Sequence, residues 1–183
     1  MFYNERVKEG VPMHARPVSC AFTGHRPGKL PWGNNENDPR CLRAKRDLRT
    51  VLEELIIDGY EHCICGMAEG CDFYFCEALL ELKSHYPHIS IEAAIPCPTQ
   101  ADAWGIAQQR RYAKLLACCD EQTVIEQKYT PDCMRRRNRY MVDHASVLVT
   151  LHNGLPGGTR YTIEYAMRRG LKILDIPIEE ELY

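Results

Sequence analysis

Three loops of the sequence combine glycines with polar or charged side chains in a way that suits the binding of an anion. In the first, CAFTGHRPGKLPWG, an apolar run ends at Thr23 and Gly24. His25 and Arg26 follow on a loop that the next proline stiffens, because the residue before a proline is driven towards an extended backbone. We expect this loop to direct an imidazole and a guanidinium towards a ligand. Alternatively, His25 and Arg26 lie on an ordinary surface turn.

The second loop, GMAEGCD, joins an apolar run to a helical pattern. Gly66 and Gly70 let the backbone approach a ligand, with Met67 and Ala68 between them as further candidate contacts. A helix that starts here would present free N–H groups and its positive dipole end to an anion. Alternatively, Asp72 caps the helix and occupies those donors, and the loop is an ordinary tight turn.

The third loop, LPGGTRYTIEY, has the same character. The backbone N–H groups of Gly157 and Gly158 and the Thr159 hydroxyl suit a phosphate, with Thr162 one turn later. Glu164 lies further along the same predicted helix, where its carboxylate suits a ribose hydroxyl rather than a phosphate. An ordinary loop followed by an exposed glutamate is the alternative.

Four arginines crowd the first turns of the predicted helix in CMRRRNRYMVDHA, namely Arg135, Arg136, Arg137 and Arg139. Cations at a helix start oppose the helix dipole by about 0.3–1 kcal/mol each when exposed. A nearby anion would offset this cost. The alternative is a solvated helix face on which Asp143 pairs with Arg139.

Short apolar runs alternate with longer amphipathic runs along the whole chain. The predicted strands are 18–24, 62–66, 89–96, 122–127, 146–152 and 171–178, and the predicted helices are 40–60, 71–86, 103–120, 131–145 and 159–170. This alternation predicts an α/β fold with a mostly parallel sheet covered by helices on both faces. Ligands of such sheets bind beyond the carboxyl ends of the strands, so the polar loops are expected to meet at one edge.

The length of 183 residues favours a single domain, with 1–17 as a poorly ordered lead-in and 18–183 as the domain. A net charge of −2 indicates no global attraction to nucleic acid or anionic lipid. No apolar run is long enough to span a membrane and no signal-peptide pattern is present, so we expect a cytoplasmic protein. The ten cysteines contain no C-x-x-C pair, which favours reduced core residues over a metal site.

Together, CAFTGHRP, GMAEGCD and CMRRRNRYMVDHA with PGGTRYTIEYA resemble the YpsA-like family of small bacterial proteins, from about Ser19 to Ile176. That family is placed in the SLOG superfamily, with the DprA/Smf proteins and the LOG phosphoribohydrolases. The resemblance implies a Rossmann-like sheet with a nucleotide-type ligand at its strand ends and no required cofactor. It also suggests a homodimer.

The LOG branch carries M-x-x-R-K-x-x-M and P-G-G-x-G-T-x-x-E, whose arginine and glutamate are taken to cleave a base from a ribose 5′-monophosphate. The matching positions are Met134, Arg137, Met141, Pro156, Gly157, Gly158 and Glu164. Asn138 replaces the lysine, and Arg160 and Tyr161 replace the glycine-threonine pair, so Arg160 is a candidate for a different anion contact. The GMAEGCD loop is similar to the S-G-x-A-x-G-I-D turn of DprA, which contacts single-stranded DNA.

Three functions follow as hypotheses. The first is a sensor or regulator that binds a nucleotide or a derivative such as ADP-ribose. The second is a phosphoribohydrolase in which Glu164 stabilises an oxocarbenium-like state and Arg137 holds the phosphate. The third is a single-stranded DNA binder, which the net charge disfavours and the arginine cluster keeps open.

Overall fold

The computed structural model describes residues 19–178, so the predicted lead-in at 1–17 lies outside the described residues. The strands are β1 (Ser19–Gly24), β2 (His62–Cys65), β3 (Ser90–Ile95), β4 (Glu121–Val124), β5 (Val147–His152) and β6 (Lys172–Pro177). The helices are α1 (Pro39–Ile57), α2 (Cys71–Lys83), α3 (Ile106–Ala117), α4 (Cys133–Asp143) and α5 (Gly158–Arg168), with a 3-10 turn at Pro27–Lys29.

All six strands form one parallel sheet in the order β4-β3-β2-β1-β5-β6. The chain therefore winds outwards from β1 in one direction through β4 and then returns to the other side of β1 with β5. This reversal of strand order between β1 and β5 creates the crevice at which such sheets bind ligands. The predicted α/β class with a Rossmann-like sheet is confirmed, and the sheet is parallel throughout.

Helices cover both faces of the sheet because successive side chains of each strand point to opposite faces and both faces are apolar. On β1, Phe22 belongs to the core under α1, α2 and α3, where its ring stacks on Phe75 at 4.6 Å between centroids. The neighbouring Ala21 faces the other way, into the core that Met141 of α4 and Ile163 of α5 complete. The smaller core thus fixes α4 and α5 beside the crevice.

The helix boundaries differ from the prediction by up to three residues at either end. Asp38 caps α1, accepting a hydrogen bond from the Arg40 N–H at 2.9 Å, and Pro39 occupies the first helical position. The third helix begins at Ile106 rather than at residue 103 because turns occupy the preceding loop. Among residues 19–178, no helix is both long and apolar enough to cross a membrane.

Candidate functional site

A cavity of about 720 Å³ lies at the carboxyl edge of the sheet, where the loops after β1 and β2 face α4 and α5. Its lining comprises Phe22, Thr23, Gly24, His25, Arg26, Pro27, Gly28, Lys29, Asn34, Ala68, Glu69, Asp72, Met134, Arg137, Asn138, Met141, Gly158 and Thr159. The volume falls within the range of small-molecule sites, about 300–1,000 Å³.

His25 holds the loop after β1 in place. Its side chain is only 2% exposed, and its Nε2 lies 2.7 Å from Oδ1 of Asn153 in the loop after β5. Its backbone N–H donates to the Leu151 carbonyl at 3.2 Å, and its carbonyl accepts from the Cys71 N–H at 3.2 Å. Burial lowers the pKa of His25, outweighing its bond to Asn153. His25 therefore joins three loops of the cavity.

Two exposed cations of this loop form the rim of the cavity. Arg26 has no carboxylate oxygen within 4.0 Å in the described part of the chain. The Lys29 ammonium donates to the Pro156 carbonyl and approaches Gly157. The rim thus carries positive charge beside the start of α5.

The turn between β2 and α2 is held in an unusual backbone shape. Met67 is fully buried at φ +53°, a conformation that costs a non-glycine residue about 1–3 kcal/mol. Gln100 donates to the Met67 carbonyl at 2.8 Å, and the Asp72 carboxylate accepts from the Ala68 N–H at 3.0 Å. Asp72 therefore supports the turn instead of capping α2, whose start carries no side-chain cap.

Arg137 forms the floor of the cavity. It is 5% exposed, donates from Nη1 to the Gly66 carbonyl, and donates from Nε to Asn138 Oδ1 at 2.8 Å. A Cβ on Gly66 would lie 2.7 Å from Cζ of Arg137, so the close approach requires glycine here. Burial lowers the pKa of Arg137, and the nearby Asp72 carboxylate opposes this shift. Burial likewise raises the pKa of Asp72 against the influence of Arg137.

At the start of α5, Gly157 precedes the helix and no side chain caps it. Gly158 and Thr159 line the cavity, with the Thr159 hydroxyl donating to the Gly24 carbonyl at 2.9 Å. Thr162 is fully buried beneath them, where its hydroxyl donates to the Gly158 carbonyl at 2.8 Å. The uncapped helix start therefore faces the cavity.

Glu164 lies outside the cavity. It is on the exposed face of α5, where its carboxylate pairs with Nε of Arg160 at 3.0 Å. Both side chains are about half exposed, at 49% and 58%. The geometry thus places neither of these two predicted residues in contact with the cavity.

The other arginines of the cluster point away from the cavity. Arg139 lies over the ring of Tyr161 at 5.8 Å and that of Tyr165 at 5.7 Å, and its Nε donates to the Tyr161 hydroxyl at 2.6 Å. The alternative pairing of Arg139 with Asp143 is not formed in the described chain, where Asp143 pairs with Arg169 at 2.9 Å. Only the arginine that α4 turns towards the sheet, Arg137, reaches the cavity floor.

The predicted site residues thus divide into two groups. Those that line the cavity are Thr23, Gly24, His25, Arg26, Ala68, Asp72, Arg137, Asn138, Gly158 and Thr159. Those that do not line it are Gly66, Met67, Gly70, Gly157, Arg160, Thr162 and Glu164. Lys29, Asn34 and Glu69 were missed, although all three stand within or beside the loops that the sequence singled out.

Among residues 19–178, no group of three or more histidine, cysteine, aspartate or glutamate side chains is arranged to hold a metal ion. The polar side chains of the cavity carry guanidinium, ammonium, imidazole, amide, hydroxyl and carboxylate groups. Such a set suits hydrogen bonding to an organic anion.

Comparisons with known proteins agree with this architecture. A family model described as the YspA SLOG family matches residues 20–176. The SPbeta prophage-derived protein YoqJ of Bacillus subtilis (strain 168) is 31% identical over 144 residues, covering 72% of this chain and 84% of that protein. A UPF0398 protein of Ligilactobacillus salivarius (strain UCC118) is 26% identical over 145 residues, covering 78% of this chain and 79% of that protein.

Two solved structures of DNA processing protein A share the fold. DprA from Streptococcus pneumoniae has a TM-score of 0.58 at 15% identity, covering 87% of this chain and 50% of that chain. DprA from Helicobacter pylori, which has a single-stranded DNA binding mode, has a TM-score of 0.59 at 16% identity, covering 89% of this chain and 66% of that chain. This chain therefore spans between half and two thirds of these DprA chains.

Proposed function

The chain belongs to the YspA SLOG family, and on that premise we propose that it binds a nucleotide or a nucleotide derivative in the cavity and acts as a sensor or regulator. The observation that carries the proposal is that the uncapped start of α5, Lys29 beside it and Arg26 all line a single cavity. Helix N-termini and nearby cations both favour an anion such as a phosphate.

The cavity lining also contains carboxylates. Glu69 is half-buried in the turn between β2 and α2, and Asp72 lies buried beside Arg137. Carboxylates repel a phosphate but accept hydrogen bonds from hydroxyl and amino groups. A ligand with a phosphate at one end and a ribose or base at the other matches both kinds of group, whereas inorganic phosphate matches only the cations and the helix start. Met134 and Met141 add apolar lining for a base.

Calorimetry tests this proposal with AMP, ADP, ADP-ribose and NAD as a panel and inorganic phosphate as the simple anion. We expect at least one member of the panel to bind more tightly than inorganic phosphate. Arg26→Ala should then weaken binding of that nucleotide by about tenfold or more, because a hydrogen bond to a charged group contributes about 1.5–3 kcal/mol. The Arg26 side chain is exposed, so the substitution is expected to leave the fold intact.

Arg135→Ala is the matched control, since it removes the same charge from an exposed position outside the cavity. Equal weakening by both variants would indicate general charge attraction rather than this site. Failure of every nucleotide to bind would contradict the proposal itself.

Two alternative functions make different predictions. A phosphoribohydrolase would release free base and lose that activity in Glu164→Gln; the exposed ion pair of Glu164 gives this function no structural support. Single-stranded DNA binding is favoured by the fold shared with the Helicobacter pylori protein. It predicts an affinity for an oligonucleotide that falls by about 0.7 log units per log unit of salt for each phosphate contact, and a flat salt response would dismiss it.

A further inference from the structure

A hydroxyl, an imidazole and an amide are linked by hydrogen-bond distances where α5 begins. The Thr159 hydroxyl oxygen lies 3.4 Å from Nδ1 of His25, and Nε2 of the same ring lies 2.7 Å from Oδ1 of Asn153. The three residues come from the first turn of α5 and from the segments that follow β1 and β5. A hydroxyl beside a base that a third group orients is the arrangement used in nucleophilic catalysis.

The amide of Asn153 determines which nitrogen of His25 is free. Its Oδ1 accepts a hydrogen bond from the Leu155 N–H at 3.4 Å, and its Nδ2 donates to the Lys29 carbonyl at 3.4 Å. The amide oxygen therefore faces His25, and because this oxygen only accepts, Nε2 of His25 carries the proton. In the neutral ring, Nδ1 is then the acceptor, and it faces Thr159.

The Thr159 hydroxyl has two acceptors within reach. It donates to the Gly24 carbonyl at 2.9 Å, and Nδ1 of His25 lies 3.4 Å from the same oxygen. A rotation of the O–H bond redirects the proton to the imidazole without moving either heavy atom. Catalytic hydrogen bonds are often long without a substrate and shorten in the reacting complex.

The start of α5 supplies the donors that acyl transfer needs. The helix begins without a side-chain cap, so the N–H groups of its first turn are available to a developing negative charge. Thr159 belongs to this turn, and both Thr159 and His25 line the cavity. A carbonyl group bound at this point would meet the nucleophile and the N–H donors together.

We propose that Thr159 and His25 act as nucleophile and general base in the hydrolysis of a carboxylic ester. The Thr159 oxygen attacks the ester carbonyl while its proton passes to Nδ1 of His25. The tetrahedral intermediate then expels the alkoxide, which takes that proton from His25 and leaves as an alcohol. Water attacks the acyl group on Thr159 with His25 again as the base, a carboxylic acid leaves, and the Thr159 oxygen regains its proton from His25.

The surroundings of His25 favour its role as a base, and Asn153 is its positioning residue. Burial lowers the pKa of His25, the hydrogen bond to Asn153 opposes this shift, and the charges of His152 and Lys29 lower the pKa further. A pKa below the ordinary histidine value of 6.5 widens the pH range in which the ring accepts a proton. This inference goes beyond the proposed nucleotide binding and does not rest on it, because its probes contain no nucleotide.

An alkyl fluorophosphonate tests the nucleophile, because it traps an activated hydroxyl: the P–O bond forms, the P–F bond breaks and fluoride leaves. Mass spectrometry of the digested full chain should place one adduct on Thr159, within the tryptic peptide 140–160. Thr159→Ser should keep an adduct at this position, and Thr159→Val should lack it. Thr50→Val is the matched control and should be labelled as the native chain is, since the exposed Thr50 hydroxyl donates to the Arg46 carbonyl of its own helix.

The rate of labelling tests the base. His25→Gln should slow it by about 100-fold or more, because general bases contribute about 100- to 10,000-fold. In the native chain the rate should fall in acid and reach half its maximum below pH 6.5, because only the neutral imidazole accepts the proton. A purely structural role for His25 would not produce this pH profile. The profile needs no variant, so it decides the question even if circular dichroism shows His25→Gln to be unfolded.

Turnover of p-nitrophenyl acetate tests the complete reaction. Release of p-nitrophenol should continue beyond one equivalent in the native chain and in Thr50→Val, and it should be lower in Thr159→Val by at least the contribution of this site to the native rate. Four results would overturn the proposal: no adduct on Thr159, labelling that does not slow in acid, a folded His25→Gln labelled at the native rate, or equal turnover in the native chain and Thr159→Val.

Discussion

Gly70 is the residue at which the loop after β1 meets the start of α2. It has φ +90°, and a Cβ built on it would lie 2.8 Å from the His25 carbonyl oxygen and 2.9 Å from Cδ of Pro27. A side chain here would push the loop that carries Arg26 away from the turn that carries Glu69. The width of the cavity therefore depends on the absence of a side chain at this position.

We expect Gly70→Ala to lower the free energy of unfolding by about 2 kcal/mol or more, because an unfavourable backbone conformation alone costs about 1–3 kcal/mol and the contacts add to it. Urea denaturation measures the difference. Gly105→Ala is the matched control: Gly105 also precedes a helix, but it has φ −63° and open space around its Cβ position. A similar loss in both variants would contradict this explanation.

Glu92 shows how elements are joined beneath the site. It is 3% exposed on β3 and accepts hydrogen bonds from His62 of β2 at 2.8 Å, Thr123 of β4 at 2.6 Å and Tyr140 of α4 at 2.7 Å. Tyr140 lies nearly one turn after Arg137 on α4. The network therefore fixes the helix that supplies the floor of the cavity.

This network predicts a loss of stability in acid. Burial alone would raise the pKa of Glu92, but the hydrogen bonds from His62, Thr123 and Tyr140 outweigh it and lower the pKa from 4.5 to about 2. Because the pKa of Glu92 is lower in the folded state than in the unfolded state, the ionised carboxylate stabilises the folded protein at pH values above the unfolded pKa. This stabilisation is lost as pH falls towards 2. The shift corresponds to about 3 kcal/mol.

Urea denaturation at a series of pH values below about 5 measures this loss. Glu92→Gln should be less stable than the native protein at neutral pH and should show a flatter decline in acid. Glu164→Gln, which changes an exposed glutamate, should decline as the native protein does. If Glu92→Gln and the native protein decline in parallel, the assignment to Glu92 is wrong.

At the scale of the whole molecule, cysteine is a core residue. Eight of the ten cysteines are buried, and six of them belong to the core under α1, α2 and α3, namely Cys20, Cys41, Cys63, Cys65, Cys71 and Cys76. Burial raises the pKa of several of them, including Cys65 and Cys71, which further slows their reaction as thiolates. The sequence-based interpretation of cysteine as a small apolar residue is confirmed for these eight.

Thiol titration therefore reports on the integrity of the fold. With an aromatic disulfide reagent, we expect the reduced native protein to show two accessible thiols, Cys118 and Cys119, and ten after denaturation in urea. The eight remaining thiols should react at the rate of unfolding. Rapid reaction of more than two thiols in the native state would show that the core opens locally.

The order of helices and strands could be predicted because the apolar period is a property of short segments. Every predicted strand is present, with ends that differ by up to three residues. The 3-10 turn at Pro27–Lys29 was not predicted, since a proline-glycine loop is compatible with several turn types. That the polar loops meet at one edge followed from the common direction of parallel strands.

The sequence by itself therefore determined the fold class and the loops from which the site is built. The apolar period is a property of short segments, and the common direction of parallel strands brings their carboxyl ends to one edge of the sheet. Only the tertiary structure decided which side chains of those loops enter the cavity. Arg137 faces inwards because it shares a helix face with Met141, which packs on the sheet, whereas Arg136 and Arg139 face solvent. Likewise Glu69 lines the cavity and Glu164 does not, because each position depends on how its helix or turn packs against the sheet.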